Sequence, residues 1–227
     1  MINKYIVILF FSLFLMSFTT QSIMATSDGF ELITYPTEDK GVIEASFFKG
    51  TDRNLAVIFA HGAIFNKESW YFLAEKLQDK GIASLSIDFR GYGNSKKGTT
   101  NKRSLDILGA VDYLKSKGFN NIAIVGGSMG GAAVLSALDT KTDNVIKKVV
   151  LLAPAGGAGI ASTSIKKLII VSKDEGLYKR VNAIYNETAQ PKELKVYPGS
   201  YHAQHMFKAD YSNELTNLII DFLNTSE

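Results

Sequence analysis

Cysteine is absent from the 227-residue chain. Its absence excludes disulfide scaffolds, thiol nucleophiles, thiolate zinc sites, iron–sulfur clusters and a lipid-modified N-terminal cysteine. Histidine is nearly absent: His61, His202 and His205 are the whole set, too few for a histidine-rich metal site. Four prolines and no sustained heptad exclude a collagen-like or coiled-coil rod. Concentrated basic blocks are also missing. The 25 Lys and Arg against 22 Asp and Glu are spread along the chain, whereas a nucleic-acid binder concentrates its basic footprint. Chemistry must therefore come from hydroxyls, carboxylates and very few imidazoles, with no metal or cofactor expected. What remains is apolar enough to build a core. Hydrophobic residues make up 46%, with 14 Phe, 10 Tyr and 19 Gly, which excludes wholesale disorder. The length suits one ordinary domain.

The apolar run Tyr5 to Phe18 is 14 residues long, short of the roughly 20 that cross a bilayer. It follows the basic start Met1–Lys4 and precedes the polar stretch Thr19–Ser22 and the small Ala25, the three-part layout of a secretory signal peptide. The expected organisation is a signal peptide over residues 1–25 and one domain over 26–227. That implies a secreted or periplasmic protein. An uncleaved membrane anchor formed by residues 5–18 is the alternative.

The body alternates strand and helix signals. Phe30-Glu31-Leu32 and Ile43 to Phe47, separated by Asp39-Lys40-Gly41, read as an antiparallel pair with one wet face. Leu55–Ala60, Ile122–Val125, Val149–Ala153 and Leu168–Val171 are short continuous apolar runs, as strands buried on both faces require. Ile82–Phe89 is a weaker member of the set, and Leu194–Tyr197 reads as an edge strand. Helical stripes run through Trp70, Leu73, Ala74 and Leu77, then Leu105, Leu108, Val111 and Leu114, and finally Leu215, Leu218, Ile219, Phe222 and Leu223. Gly81 and Gly118 stop the first two. The expected fold class is α/β, a single doubly wound, mainly parallel sheet flanked by helices.

After the strand Ile122–Val125 comes Gly126-Gly127-Ser128-Met129-Gly130-Gly131, leading into an apolar helix. Gly-x-Ser-x-Gly between a strand and a helix marks a nucleophile on a sharp, strained turn, whose neighbours two before and two after must be small. No Lys follows the glycines, so a phosphate-binding loop does not fit, and the dinucleotide Gly-x-Gly-x-x-Gly spacing is missing. A serine hydroxyl needs a base and an acid that orients it. His202, past the last edge strand, is the expected base, and His205 the competing one. Asp174, after the strand Leu168–Val171, is the expected acid, and Glu175 the competing one. These segments lie at strand carboxyl ends, where open α/β sheets hold ligands. The turn Ala60-His61-Gly62-Ala63 can aim the backbone N–H of Ala63 into the site. With the N–H of Met129 it would form an oxyanion hole, and His61 is expected to serve the loop structurally. The glycine-rich segment Asp88–Ser95 is expected to shape the pocket rim.

Taken together, His61-Gly62, Asp88-Phe89-Arg90-Gly91-Tyr92-Gly93-Asn94-Ser95, Gly126-Gly127-Ser128-Met129-Gly130, and Asp174 with His202 resemble the α/β-hydrolase superfamily over about residues 30 to 225. The resemblance implies a mainly parallel sheet of eight strands, Ser128 as nucleophile, Asp174 as acid, His202 as base, and Ala63 and Met129 as oxyanion amides. Between Ala153 and Leu168 the chain has room only for Pro154–Lys167, too short for the helical lid that many relatives insert, so a capless site is expected. The expected activity is cleavage of carboxylic esters or thioesters of modest size, with the small-molecule ester or thioester as the expected partner and no nucleic acid. An amide-cleaving enzyme on the same fold, or a catalytically idle protein that binds a ligand or partner through the cleft, are the alternatives.

Overall fold

The continuous apolar runs form the middle of one eight-stranded sheet. In the computed structural model, residues 29–140 and 144–225 are described. Residues 1–25, expected to be a signal peptide, lie outside the described residues. The strands are β1 Glu31–Pro36, β2 Val42–Phe48, β3 Asp52–Ala60, β4 Ile82–Ile87, β5 Ile122–Gly127, β6 Ile146–Leu152, β7 Lys166–Ser172 and β8 Lys192–Tyr197. The helices are α1 Tyr71–Gln78, α2 Ser104–Ser116, α3 Met129–Thr140, α4 Tyr178–Glu187 and α5 Ser212–Asn224. Short 3-10 turns cover Lys67–Trp70 and Ala203–Lys208. The strand order is β1-β2-β4-β3-β5-β6-β7-β8. Only the β1–β2 and β2–β4 pairings are antiparallel, and the rest are parallel.

Alternate residues of the central strands feed two separate cores. Ile58, Ile124, Val149 and Leu151 pack with α2, α3 and α4 on one face. Val57, Phe59, Val125, Val150 and Leu152 pack with α1 and α5 on the other. A strand with apolar partners on both sides cannot alternate apolar and polar residues, which is why these runs are continuous. Each buried Val, Leu, Ile or Phe removed from water contributes about 1.5–3 kcal/mol, and it is this two-sided burial that holds the parallel strands together.

Three details differ from the sequence reading. β1 alternates as expected, but β2 is buried from Ile43 to Phe48, because β4 pairs along its second edge and core lies on both of its faces. In α2 the buried stripe is Ile107, Ala110, Val111 and Leu114, with Leu105 and Leu108 only half-buried. The helix is rotated relative to the expected stripe so that Ser104 and Asp106 also face inward. Helix α4 has no counterpart among the expected helical stripes, though Val181 and Ile184 are both buried in the core. Between β6 and β7 there is no helix, so among the described residues no cap inserted there covers the carboxyl ends of the strands.

The strand order also locates a crevice. From β3 the chain goes first to β4 on one side and then to β5 on the other. At such a switch point the loops leaving the two strands diverge and open a space above the sheet. The loops after β3 and β5 carry His61–Asn66 and Ser128.

Candidate active site

Ser128 is the one residue between β5 and α3, and it sits at φ 50°, a left-handed backbone that a side chain adopts only under constraint. The constraint is visible. Its N–H donates to the Leu152 carbonyl at 2.9 Å, and its carbonyl accepts from Ala132 and Ala155 N–H, each at 3.0 Å. Glycine at 130 is required by close approach, since a Cβ there would lie 2.2 Å from the Ala60 carbonyl oxygen. Helix α3 can therefore start directly against the end of β3, with its N-terminal N–H groups, Met129 first, lacking partners within the helix.

His202 leaves β8 through Pro198–Tyr201. The Ser172 hydroxyl donates to the Tyr201 carbonyl at 2.6 Å, which fixes the backbone just ahead of the imidazole. His202 Nε2 is 2.8 Å from Ser128 Oγ, and His202 Nδ1 is 2.5 Å from Glu175 Oε2. A carboxylate accepts, so Nδ1 carries the proton and Nε2 accepts from the serine hydroxyl. The expected acid, Asp174, is not in this chain of hydrogen bonds: its side chain is exposed, and its backbone N–H donates to the Gly199 carbonyl at 2.9 Å. The neighbouring Glu175 is buried, its side chain 3% exposed. The turn after β7 points these consecutive side chains in different directions, Asp174 to solvent and Glu175 to the imidazole. His205, the competing base, packs edge-on against Phe65 with ring centroids 5.1 Å apart and has no hydrogen bond to Ser128.

The loop after β3 is held by side chains on several sides. His61 is fully buried. Its Nε2 accepts the Phe89 N–H at 3.1 Å, leaving the proton on Nδ1, which donates to the Gly62 carbonyl at 2.8 Å. Burial lowers its pKa, so the ring stays neutral and does the structural work expected of it. The planar trans peptide places the Ala63 N–H opposite the Gly62 carbonyl, on the side away from His61. The Ala63 carbonyl accepts from the Tyr92 hydroxyl at 2.9 Å, and the same hydroxyl is 3.7 Å from Met129 Sδ. Ala63 and Met129 thus flank one phenol. A Cβ on Gly62 would be 3.5 Å from the Ser128 Cβ, so this loop abuts the serine directly.

Beneath the site, the glycine-rich Asp88–Ser95 segment does more than shape a rim. Lys67 Nζ donates to Glu44 at 2.9 Å and to Asp88 at 2.7 Å, and Asn94 donates to the other Glu44 oxygen at 3.0 Å. Burial pushes the Glu44 carboxyl up, but its bonds to Lys67 and Asn94 outweigh that and hold it below its ordinary value. Burial likewise works against the Lys67 ammonium, yet the two carboxylates keep its pKa raised. Arg90 bridges Asp39 and Asp106 at 2.7 and 2.8 Å. Among the described residues no cluster of three or more His, Asp or Glu side chains is arranged to hold a metal ion.

The structure brings the expected Ser128 and His202 into one hydrogen-bonded chain and sets the competing acid Glu175, not Asp174, against His202 Nδ1. The sequence reading has Tyr92 only as part of the rim segment and does not single out Gln204. No spacing rule marks Glu175, Tyr92 or Gln204; only the packing of loops distant along the chain singles them out.

Residues 56–165 match the family described as alpha/beta hydrolase fold. A Bacillus subtilis protein named as a 2-succinyl-6-hydroxy-2,4-cyclohexadiene-1-carboxylate synthase is 31% identical over 115 residues, 48% of this chain and 40% of that protein. A Mycoplasma genitalium protein named as an esterase/lipase is 25% identical over 177 residues, 75% of this chain and 63% of that protein. The chain therefore spans less than two thirds of the length of these curated relatives. Among solved structures, an esterase from Exiguobacterium antarcticum superposes with a TM-score of 0.70 at 14% identity, covering 85% of this chain and 99% of that one. The eight-stranded sheet, the strained serine turn at the switch point and this match over residues 56–165 agree: the chain has the α/β-hydrolase fold.

Proposed function

We propose that the protein is a serine hydrolase that cleaves carboxylic esters or thioesters of modest size through an acyl-enzyme. The observation that carries this reading is the continuous chain Ser128 Oγ–His202–Glu175, at 2.8 and 2.5 Å, beside the N-terminus of α3. In the proposed cycle Ser128 Oγ bonds to the substrate carbonyl carbon while His202 Nε2 takes the hydroxyl proton. The carbonyl oxygen becomes an anion facing the N–H groups of Ala63 and Met129. Collapse of the tetrahedral species breaks the bond to the alcohol or thiol, which leaves with the proton from His202. Water, deprotonated by the same nitrogen, then releases the acid and restores the serine. Glu175 keeps the imidazole in the required tautomer and stabilises its charged form.

Two features support a small, partly apolar ester over a buried lipid chain. The β6–β7 connection carries no lid helix, and the imidazole of His202 is 37% exposed. Ile64 and Tyr201, next to Ala63 and His202, are large apolar side chains left 77% and 44% exposed. The esterase names carried by the Mycoplasma relative and the Exiguobacterium structure point the same way. Export, with residues 1–25 removed, belongs to the same proposal and rests on the N-terminal sequence pattern alone. Edman sequencing of the mature protein should begin at Thr26.

A fluorophosphonate probe should form one adduct, on Ser128, and the Ser128→Ala protein should remain folded and unlabelled. A matched ester should turn over much faster than its anilide. Faster anilide cleavage would make the enzyme an amidase. A folded wild-type protein that takes no label would overturn the hydrolase reading and leave a ligand-binding role.

A further inference from the structure

We propose that Gln204 is a positioning residue of this site, tying the oxyanion loop to the turn that carries the base. The proposal rests on the hydrolase reading above and assigns a role to a residue outside its Ser-His-Glu chain. Gln204 is buried, 5% exposed, and lies two residues past His202 on the same turn. Between them Ala203 is held at φ 47°, which points the two side chains to different parts of the site.

The amide of Gln204 uses its acceptor on the loop after β3, 142 positions away along the chain, and its donor on the 3-10 turn that closes that loop. Its Oε1 accepts the Gly62 N–H at 2.9 Å, and its Nε2 donates to Ser69 Oγ at 2.7 Å. Ser69 Oγ in turn donates to the Asn66 carbonyl at 2.6 Å. The one side chain therefore holds the loop at its start and at its end. The room for it is made by two glycines. A Cβ on Gly127 would lie 2.8 Å from Gln204 Oε1, and one on Gly62 would lie 3.0 Å from it. The amide oxygen is wedged between the serine turn and the oxyanion loop.

This contact matters because of what glycine permits. With no Cβ at 62, the Gly62–Ala63 peptide can rotate between two orientations at low cost, and one of them turns the Ala63 N–H away from Ser128. Three contacts oppose that rotation: His61 holds the Gly62 carbonyl of this peptide, while Gln204 on the Gly62 N–H and Tyr92 on the Ala63 carbonyl fix the peptides just before and after it. His61 belongs to the loop after β3 itself, and Tyr92 to the loop after β4. Gln204 alone among them comes from the base-bearing turn, so it sets the distance between the imidazole and the oxyanion amide.

The test compares Gln204→Met, which keeps the length and removes both hydrogen bonds, with Gln204→Glu, which keeps an acceptor for the Gly62 N–H. Steady-state hydrolysis of a short p-nitrophenyl ester and hydrogen exchange of the peptide spanning residues 61–66 are read for each. For Gln204→Met, kcat should fall about 10- to 100-fold, somewhat less than the outright loss of an oxyanion donor, with KM little changed and faster exchange in residues 61–66. Gln204→Glu should recover most of kcat and of the protection. A folded Gln204→Met protein with wild-type kcat and protection overturns the proposal. So does an equal loss in both variants that merely tracks a lowered melting temperature. A wild-type protein that takes no fluorophosphonate overturns the hydrolase reading instead, and the exchange comparison, which needs no turnover, still decides whether Gln204 holds the loop.

Discussion

Asp174 and Glu175 are adjacent acids in the turn after β7, and their side chains face opposite environments. Asp174 is exposed, whereas Glu175 is buried against His202. Replacing a carboxylate that orients a catalytic imidazole by its amide leaves the shape intact and favours the wrong tautomer. Glu175→Gln should therefore lower kcat by about 10³- to 10⁴-fold. Asp174→Asn should leave kcat within a few-fold, because only its backbone N–H is engaged, with Gly199. Steady-state kinetics on both variants, with circular dichroism to show that they fold, decide between the two acids. His61 carries the same lesson in reverse. It is an imidazole in the site's own loop, yet both ring nitrogens are spent on backbone partners, so it shapes the site without exchanging protons there.

At the scale of elements, the approach of α3 to β3 sets the position of Ser128. Gly130 is where the two meet, and an added methyl there has only backbone to push against, the Ala60 carbonyl oxygen at 2.2 Å. Gly130→Ala should destabilise the fold by about 1–3 kcal/mol, the usual range for overpacking, and lower activity further by displacing Ser128. Gly176→Ala makes a control, since a Cβ there meets nothing within 4 Å. Urea unfolding should separate the two, with Gly176→Ala near the wild-type midpoint. Helix α5 works from the opposite face. Leu215, Ile219, Ile220 and Leu223 bury against the sheet, and Lys148 from β6 donates to the carbonyls of Leu223 and Thr225. A buried ammonium thereby closes the helix end where carbonyls lack helical partners.

Over the whole molecule, Arg90 joins parts that are far apart in sequence: Asp39 between β1 and β2, Thr100 ahead of α2, and Asp106 within it. Hydrogen bonding to Arg90 holds the Asp39 carboxyl far below the ordinary carboxylate range. Burial raises that of Asp106 in spite of the same arginine. A depressed folded value means that Asp39 contributes stability above the unfolded carboxylate pKa of about 3.9, and that this is lost as pH falls below it. Asp106 works in the opposite sense, so the acid-sensitive part of the network lies with Asp39. Asp39→Asn should be less stable than wild type at pH 6. It should also show a shallower loss of stability between pH 5 and pH 2, measured by urea midpoints across that range. A variant that loses stability as steeply as wild type would remove Asp39 from this role.

The central strands and the serine turn were legible in the amino-acid sequence because both are local. A strand buried on two faces must be apolar throughout, as Ile122–Val125 is, and a serine forced into a left-handed turn needs glycine on either side. Short-range constraints of this kind leave their mark in neighbouring residues. Choosing Glu175 over Asp174, rotating α2 so that Asp106 meets Arg90, and setting Gln204 against Gly62 depended on surfaces that meet only when distant segments pack. Side-chain direction in a turn, and which groups lose their water there, follow from those surfaces, so only the tertiary structure decided them.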